Sequence, residues 1–249
     1  MLHSGGLSGR QWRKLGVHLS SSYRVIIPDL LGYGGSTPWP ARQPFHFRQD
    51  LAALDLLLAH AGEPVHLVGH SYGGLLAFQL ALADWSRIRT MTLFEPTTFG
   101  VLDPVDDSDA LAGLAGVRLE WEPQSPGAAD EQWLEGFVDW WNGPGTWKTL
   151  RSEVRDSFRR NGWKLFQEVI SLLTEHTPLE RYGQLPNHVL LLGAGRSPLA
   201  EQRVLTRLAS VIPNATLRVF EDLGHMAPVT HASLVNEAIG DHLKKRTGA

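Results

Sequence analysis

Residues 65–83 read VHLVGHSYGGLLAFQLALA: a short apolar run, a glycine-rich turn, and then a run of helix-forming residues. The first part predicts a strand over Val65–Val68, and the last part predicts a helix over Tyr72–Asp84. Ser71 falls at the turn between them, where flanking glycines let strand and helix approach closely. A serine on such a turn projects its hydroxyl from the sheet edge, and the helix N-terminus offers N–H groups to a developing negative charge. The alternative is an ordinary glycine-rich strand-to-helix loop.

The rest of the chain repeats this alternation of short apolar runs and amphipathic stretches. Strands are predicted at Arg24–Pro28, Val65–Val68, Thr90–Phe94, Val189–Leu192 and Thr216–Phe220. Helices are predicted at Gly9–Ser20, Phe47–Ala61, Tyr72–Asp84, Leu199–Ile212 and His231–Lys245. Continuous Val, Ile and Leu runs suit strands that are buried on both faces. The pattern therefore predicts a mainly parallel α/β sheet with helices on both faces.

One region, 100–178, interrupts the alternation. It begins acidic and loop-like and then reads as helices over Glu131–Trp141, Thr146–Arg160 and Trp163–His176. Six of the nine tryptophans fall within it: Trp121, Trp133, Trp140, Trp141, Trp147 and Trp163. We expect a helical cap, inserted into a core made of 1–99 and 179–249. Trp140, Trp141 and Trp147 are candidates for the apolar walls of a substrate pocket, and packing within the insertion is the alternative.

Composition excludes several classes of function. The 249 residues carry 23 Lys and Arg against 26 Asp and Glu, so the net charge of −3 predicts no nucleic-acid or membrane partner. Cysteine is absent, which excludes disulfides, cysteine–zinc sites and a thiol nucleophile. No apolar run has the length of a membrane span, and the first residues do not form a secretory signal. We expect a soluble, cytoplasmic protein whose partner is a small-molecule substrate.

A serine nucleophile needs a base and an orienting acid. His225 follows the last predicted strand, so a parallel sheet would bring it to the same edge as Ser71. Glu95 ends the strand Thr90–Phe94 and is the best candidate for the acid, although a helix cap or a loop salt bridge would also explain it. After the strand Val189–Leu192 no carboxylate occurs before Glu201.

These segments together resemble the α/β-hydrolase family along nearly the whole chain. The motifs that carry the resemblance are His3-Ser4-Gly5-Gly6, Pro28-Asp29-Leu30-Leu31-Gly32-Tyr33-Gly34-Gly35-Ser36, Gly69-His70-Ser71-Tyr72-Gly73-Gly74 and Gly224-His225. The resemblance implies that the backbone N–H groups of Gly5 and Tyr72 form an oxyanion hole. It implies a structural role for Asp29. It also implies that neither a metal nor an organic cofactor is needed.

The chain departs from the family pattern at two places. Family members commonly carry the acid as Gly-x-x-Asp where this chain has Arg196-Ser197, and a subset carries it where Glu95 stands. The family also has two strands and most of a third before the His-Gly motif, whereas only Met1 and Leu2 precede His3. We therefore expect those first strands to be missing, either because the true start lies upstream or because the chain is a compromised variant.

The sequence thus predicts a serine hydrolase that cleaves a small or medium apolar ester or related acyl compound through an acyl-enzyme on Ser71. A carbon–carbon hydrolase or a perhydrolase would use the same residues. The departures from the family pattern keep a catalytically impaired or ligand-binding protein as the alternative from another class.

Overall fold

The computed structural model describes residues 1–118 and 129–247. A short 3-10 helix, Gly9–Trp12, leads into α1 (Arg13–Leu19), and α2 spans Phe47–Ala61. The central unit is β1 (Val65–His70), α3 (Tyr72–Ala83) and β2 (Ile88–Phe94). The helices that follow β2 are α4 (Ser108–Arg118), α5 (Glu131–Asn142), α6 (Thr146–Thr149), α7 (Ser152–Leu173) and α8 (Leu179–Tyr182). The chain continues through β3 (His188–Ala194), α9 (Leu199–Val211), β4 (Ala215–Phe220), α10 (Ala227–Thr230) and α11 (Ala232–Thr247).

The four strands form a parallel sheet in the order β1-β2-β3-β4. Neighbouring residues of each strand point to opposite faces, so Leu191 belongs to the core cluster that also contains residues of α2, α3 and α9, while Leu192 belongs to the cluster that contains residues of α1 and α11. The predicted α/β class, with a parallel sheet and helices on both faces, is confirmed.

The predicted strand Arg24–Pro28 is wrong, because this segment makes no strand pairing in the described structure. Within residues 1–118 and 129–247, the backbone hydrogen bonds that connect this segment to β1 run through the first two residues. The ammonium group of Met1 donates to the Ile26 carbonyl at 2.8 Å, and the Leu2 N–H donates to the Val68 carbonyl at 2.7 Å. A cavity of about 420 Å³, lined by side chains from both faces of the sheet, separates the rest of the segment from β1. An extended run becomes a strand only when a neighbour pairs with its backbone.

The segment between β2 and β3 is helical, as predicted, with two differences. Helix α4 occupies a region that the acidic composition marked as loop, and a single 22-residue helix, α7, replaces the predicted break near Gly162. The chain breaks instead at Leu150, whose backbone is extended. Gly162 lies inside this helix, and a Cβ there would come within 3.2 Å of the Ala129 carbonyl oxygen, so a glycine fits the close approach. Trp121 lies outside the described residues, and the limits 100–178 stay a prediction.

Within residues 1–118 and 129–247, no helix is both long and apolar enough to cross a membrane.

Candidate active site

Ser71 lies on a strained turn at the carboxyl end of β1. Its backbone has φ 55° and ψ −120°, a conformation that a residue with a side chain rarely adopts. The turn is tight enough to require glycine on both sides. A Cβ on Gly69 would lie 2.6 Å from the Gly73 carbonyl oxygen, and one on Gly73 would lie 2.5 Å from the Leu2 carbonyl oxygen. This geometry matches the strand–turn–helix that the motif predicts for an exposed nucleophile.

The structure brings His225 and Glu95 into direct contact, although 130 residues separate them in the sequence. The Nδ1 atom of His225 lies 2.7 Å from Glu95 Oε2, and both side chains are buried. Glu95 has φ 46°, so a second strained residue follows the end of β2. The same carboxylate accepts hydrogen bonds from the Ser197 hydroxyl and the Ala194 N–H, each at 2.8 Å. These bonds hold the carboxylate against the imidazole edge that faces away from the solvent.

The protonation states of this pair follow from burial. Burial lowers the pKa of His225 to about 3, so the imidazole is neutral at neutral pH. Burial raises the pKa of Glu95, and the hydrogen bonds from Ser197 and Ala194 oppose the rise. With a proton on Nδ1 shared with Glu95, the Nε2 lone pair of His225 is available to accept a proton.

A second buried carboxyl, Glu201, is close enough to interact electrostatically with Glu95. Its pKa is raised well above the usual range by burial and by the charge of Glu95. Both of its oxygens are buried without a hydrogen-bond partner among the described residues. Glu201 is therefore the neutral member of the pair, and the three hydrogen bonds to Glu95 favour charge on Glu95. The structure does not bring Glu201 into contact with His225, so Glu95 holds that position.

Gly5 and Tyr72, the two residues that the resemblance marks for an oxyanion hole, lie beside Ser71 in the structure. In the described part of the chain, neither the Gly5 N–H nor the Tyr72 N–H has a hydrogen-bond acceptor. Both residues line one cavity with Ser71 and His225. Two free donors beside a nucleophile are the arrangement that stabilises an oxyanion.

Hydrogen bonds link the loop that carries Gly5 to the loop that carries His225. The Ser4 N–H donates to Gln11 Oε1 at 3.1 Å, which leaves the Gln11 amide nitrogen to donate to His70 Nδ1 at 3.0 Å. The remaining nitrogen of His70, Nε2, then carries its proton and donates to the His225 carbonyl at 2.9 Å. In this series of hydrogen bonds, each atom can act in one way, as a donor or as an acceptor. The orientation of the Gln11 amide therefore fixes the tautomer of His70, and the reverse also holds. Sequence reasoning missed Gln11, because no motif marks a glutamine on a helix as part of a site.

The cavity in front of Ser71 has a volume of about 370 Å³ and is mainly apolar. The Trp141 ring stacks on the His225 imidazole, with ring centroids 3.6 Å and planes 17° apart. Trp140 also lines the cavity and packs edge-on against Trp141. Trp147 does not reach the cavity. Its ring is buried within the insertion against Phe158, and its indole N–H donates to Glu131. These contacts direct Trp147 away from the cavity that Ser71 lines.

Comparison with known proteins identifies relatives that cover nearly the full chain. Residues 1–232 match the family model described as alpha/beta hydrolase fold. The chain is 28% identical to the pimeloyl-[acyl-carrier protein] methyl ester esterase of Chromobacterium violaceum, over 98% of this chain and 93% of that protein. It is 26% identical to the 2-hydroxymuconate semialdehyde hydrolase of Pseudomonas sp. strain CF600, over 100% of this chain and 87% of that protein.

A solved structure has the same architecture. The hydrolase olei00960 from Oleispira antarctica superposes with a TM-score of 0.73, at 18% identity, over 98% of this chain and 89% of that one. At this identity the likeness concerns the fold alone.

Proposed function

Because the chain belongs to the α/β hydrolase fold family and has an esterase and other hydrolases among its relatives, we propose that it is a serine hydrolase that cleaves a neutral, largely apolar ester through an acyl-enzyme on Ser71. The observation that carries this proposal is the 2.7 Å contact between His225 Nδ1 and Glu95, at a cavity that Ser71 also lines.

The proposed reaction uses each group in the form that its surroundings favour. Neutral His225 accepts the Ser71 proton on Nε2 as the hydroxyl oxygen attacks the ester carbonyl, and Glu95 stabilises the imidazolium that forms. The Gly5 and Tyr72 N–H groups bind the oxyanion, and each such donor contributes roughly 3–4 kcal/mol where it has been measured. His225 then protonates the leaving alcohol, and water releases the acyl group by the same steps in reverse order.

Helices from the insertion support the apolar character of the proposed substrate. We propose that 100–178 forms a cap over the core, since Trp140, Trp141 and Leu172 line the cavity beside Ser71. The stacked Trp141 ring offers its π face to His225, and this arrangement stabilises a cationic imidazolium. All three side chains therefore shape the substrate pocket, and Trp141 also acts on the base.

The charge of the cavity favours an ester over the carbon–carbon alternative. Among the described residues that line it, none is a lysine or arginine. The 2-hydroxymuconate semialdehyde named for one relative carries a carboxylate, and such a group would find no cationic partner in this cavity. A neutral ester needs no such partner.

The test is covalent labelling by a fluorophosphonate probe, followed by intact-mass analysis. We expect one adduct on the wild-type chain, none on Ser71→Ala, and one on Ser20→Ala, whose exposed serine lies at the end of α1. Hydrolysis of p-nitrophenyl butyrate should follow the same pattern. A wild-type chain that takes no label, or a label that persists in Ser71→Ala, would overturn the proposal. Apolar ligand binding without any adduct would point to the ligand-binding alternative.

A further inference from the structure

Among the described residues that line the cavity, one carries an acidic side chain. Glu168, on α7, lines the cavity although only 1% of the residue is exposed. Its Oε1 atom would lie 2.0 Å from a Cβ built on Gly5, so this oxygen presses directly against the Gly5 α-carbon. A carboxyl oxygen is thus the neighbour of one of the two N–H groups assigned above to the oxyanion hole.

The two oxygens of Glu168 have different surroundings. Oε2 contacts the Lys164 ammonium at 2.5 Å and accepts a hydrogen bond from the Tyr33 hydroxyl at 3.0 Å. No donor from the described residues reaches Oε1. A proton on this carboxyl therefore belongs on Oε1, because Oε2 already accepts two donors.

Charge balance favours that proton. Lys164 also contacts Asp50 at 3.1 Å, so one buried cation faces two buried carboxyls. Asp50 Oδ1 accepts from the Leu31 N–H at 2.9 Å and Asp50 Oδ2 accepts from the Tyr72 hydroxyl at 2.7 Å, so both oxygens of Asp50 are already occupied by donors. The cluster is neutral when Asp50 is ionised and Glu168 is protonated.

The other titratable groups around Glu168 are consistent with this assignment. Burial raises the pKa of Glu168 to about 7, Lys164 opposes the rise, and Asp50 adds to it. Burial also raises the pKa of Tyr33 and of Tyr72 well above the usual range, so both hydroxyls keep their protons. Near neutral pH, therefore, Glu168 changes its charge while both tyrosines stay neutral.

We propose that Glu168 contacts the substrate and selects its acyl group: protonated Oε1 donates a hydrogen bond to a neutral oxygen close to the reacting carbonyl, and the site rejects an anionic group there. This inference rests on the proposed function, because it concerns the same cavity. It names the substrate class as neutral esters whose acyl chain carries a keto or similar acceptor oxygen. An ionised Glu168 cannot donate, so the preference for such substrates is lost at alkaline pH.

Three p-nitrophenyl esters of one shape separate these effects. The acyl groups are 3-methylbutanoate, 3-oxobutanoate and the malonate half ester, which place a methyl pair, a keto group and a carboxylate at the same position. Glu168→Gln keeps an oxygen for Lys164 and Tyr33 and places an amide N–H where Oε1 stands. Glu168→Leu removes the donor. Glu153→Gln, an exposed residue on the same helix, is the matched control.

At each pH we compare the ratio of kcat/KM for two esters in one variant with the same ratio in wild type. The intrinsic reactivity of each ester is the same in both ratios and cancels. In wild type we expect the preference for 3-oxobutanoate over 3-methylbutanoate to fall about tenfold as the pH rises from 6 to 9. Glu168→Gln should keep the preference at all pH values, and it should raise the relative rate of the malonate half ester about tenfold above pH 7. Glu168→Leu should lose the preference at every pH, and Glu153→Gln should match wild type.

Fluorophosphonate labelling distinguishes a failure of the serine-hydrolase proposal from a failure of the role proposed for Glu168. If the wild type takes no label, the serine-hydrolase proposal fails. If the wild type and Glu168→Gln both take the label and their ester preferences agree within twofold from pH 6 to 9, the role of Glu168 is overturned and the hydrolase proposal stands. The Gln variant keeps the test decisive even if the Leu variant does not fold, because it preserves the neutral cluster.

Discussion

Replacing Glu95 by glutamine changes the tautomer of His225 while leaving the shape of the site almost unchanged. In wild type, Oε1 accepts from the Ala194 N–H, and Oε2 accepts from the Ser197 hydroxyl and His225 Nδ1. The glutamine oxygen must take the position facing Ala194, because a backbone N–H can only donate. The amide NH₂ then faces His225 and donates to Nδ1. The remaining proton moves to Nε2, and that nitrogen can no longer accept the proton of Ser71.

The cost of restoring the productive tautomer follows from the same contacts. The amide would have to flip, which places its NH₂ against the Ala194 N–H and leaves two buried donors without acceptors. Each unsatisfied buried donor costs about 1–3 kcal/mol, so the flip costs about 2–6 kcal/mol. At about 1.4 kcal/mol per factor of ten, we expect kcat/KM of Glu95→Gln to fall by a factor between about 25 and about 2 × 10⁴.

The assay is kcat/KM for p-nitrophenyl butyrate, together with the rate of fluorophosphonate labelling and the thermal unfolding midpoint. Glu201→Gln is the matched control, since it makes the same chemical change at a neighbouring buried carboxyl that is already neutral. We expect the control to stay within a few-fold of wild type. If Glu95→Gln is folded and keeps more than a tenth of the wild-type kcat/KM, the assignment of Glu95 as the acid is refuted.

Three further outcomes follow from the contacts described above. Gln11→Leu removes the hydrogen bonds that connect the Ser4 N–H to His70, so both site loops lose their alignment. We expect kcat to fall on the order of 10-fold to 100-fold and KM to change less than threefold. A rise in KM as large as the fall in kcat would contradict a positioning role. Lys164→Met leaves two buried carboxyls without their cation. We expect the free energy of unfolding, measured by urea titration, to fall by about 3–5 kcal/mol. A fall in that free energy of less than about 1 kcal/mol would show that the cluster is solvated. The pKa of Glu168 rises from 4.5 to about 7 on folding, so the folded protein binds the Glu168 proton more tightly than the unfolded chain does. The resulting stabilisation is fully present below pH 4.5 and is lost as the pH rises through 7. Relative to Glu168→Gln, the wild type should therefore lose about 3 kcal/mol of unfolding free energy between pH 4 and pH 8, and parallel stability curves would contradict this.

Local sequence was sufficient for features that depend on near neighbours in the chain. The period of apolar residues identified α2 and β1 to β4 to within a few residues, because each pattern reports which faces are buried. The spacing around Ser71 predicted the sharp turn, since only glycine tolerates the 2.5–2.6 Å approaches found there. The order of serine, glutamate and histidine along parallel strands predicts that all three lie at one edge of the sheet.

The tertiary structure decided what depends on distant partners. Arg24–Pro28 has the composition of a strand, but a strand also needs a neighbour for its backbone. Among the described residues, Met1 donates to Ile26, while Leu2 pairs with β1 instead. Trp141 and Trp147 are equivalent in the sequence, yet α5 turns one onto His225 and α6 packs the other inside the insertion. Gln11 and Glu168 belong to no motif. Their roles arise because the fold brings a donor against His70 and a carboxyl against Gly5, and these are long-range contacts that no local pattern encodes.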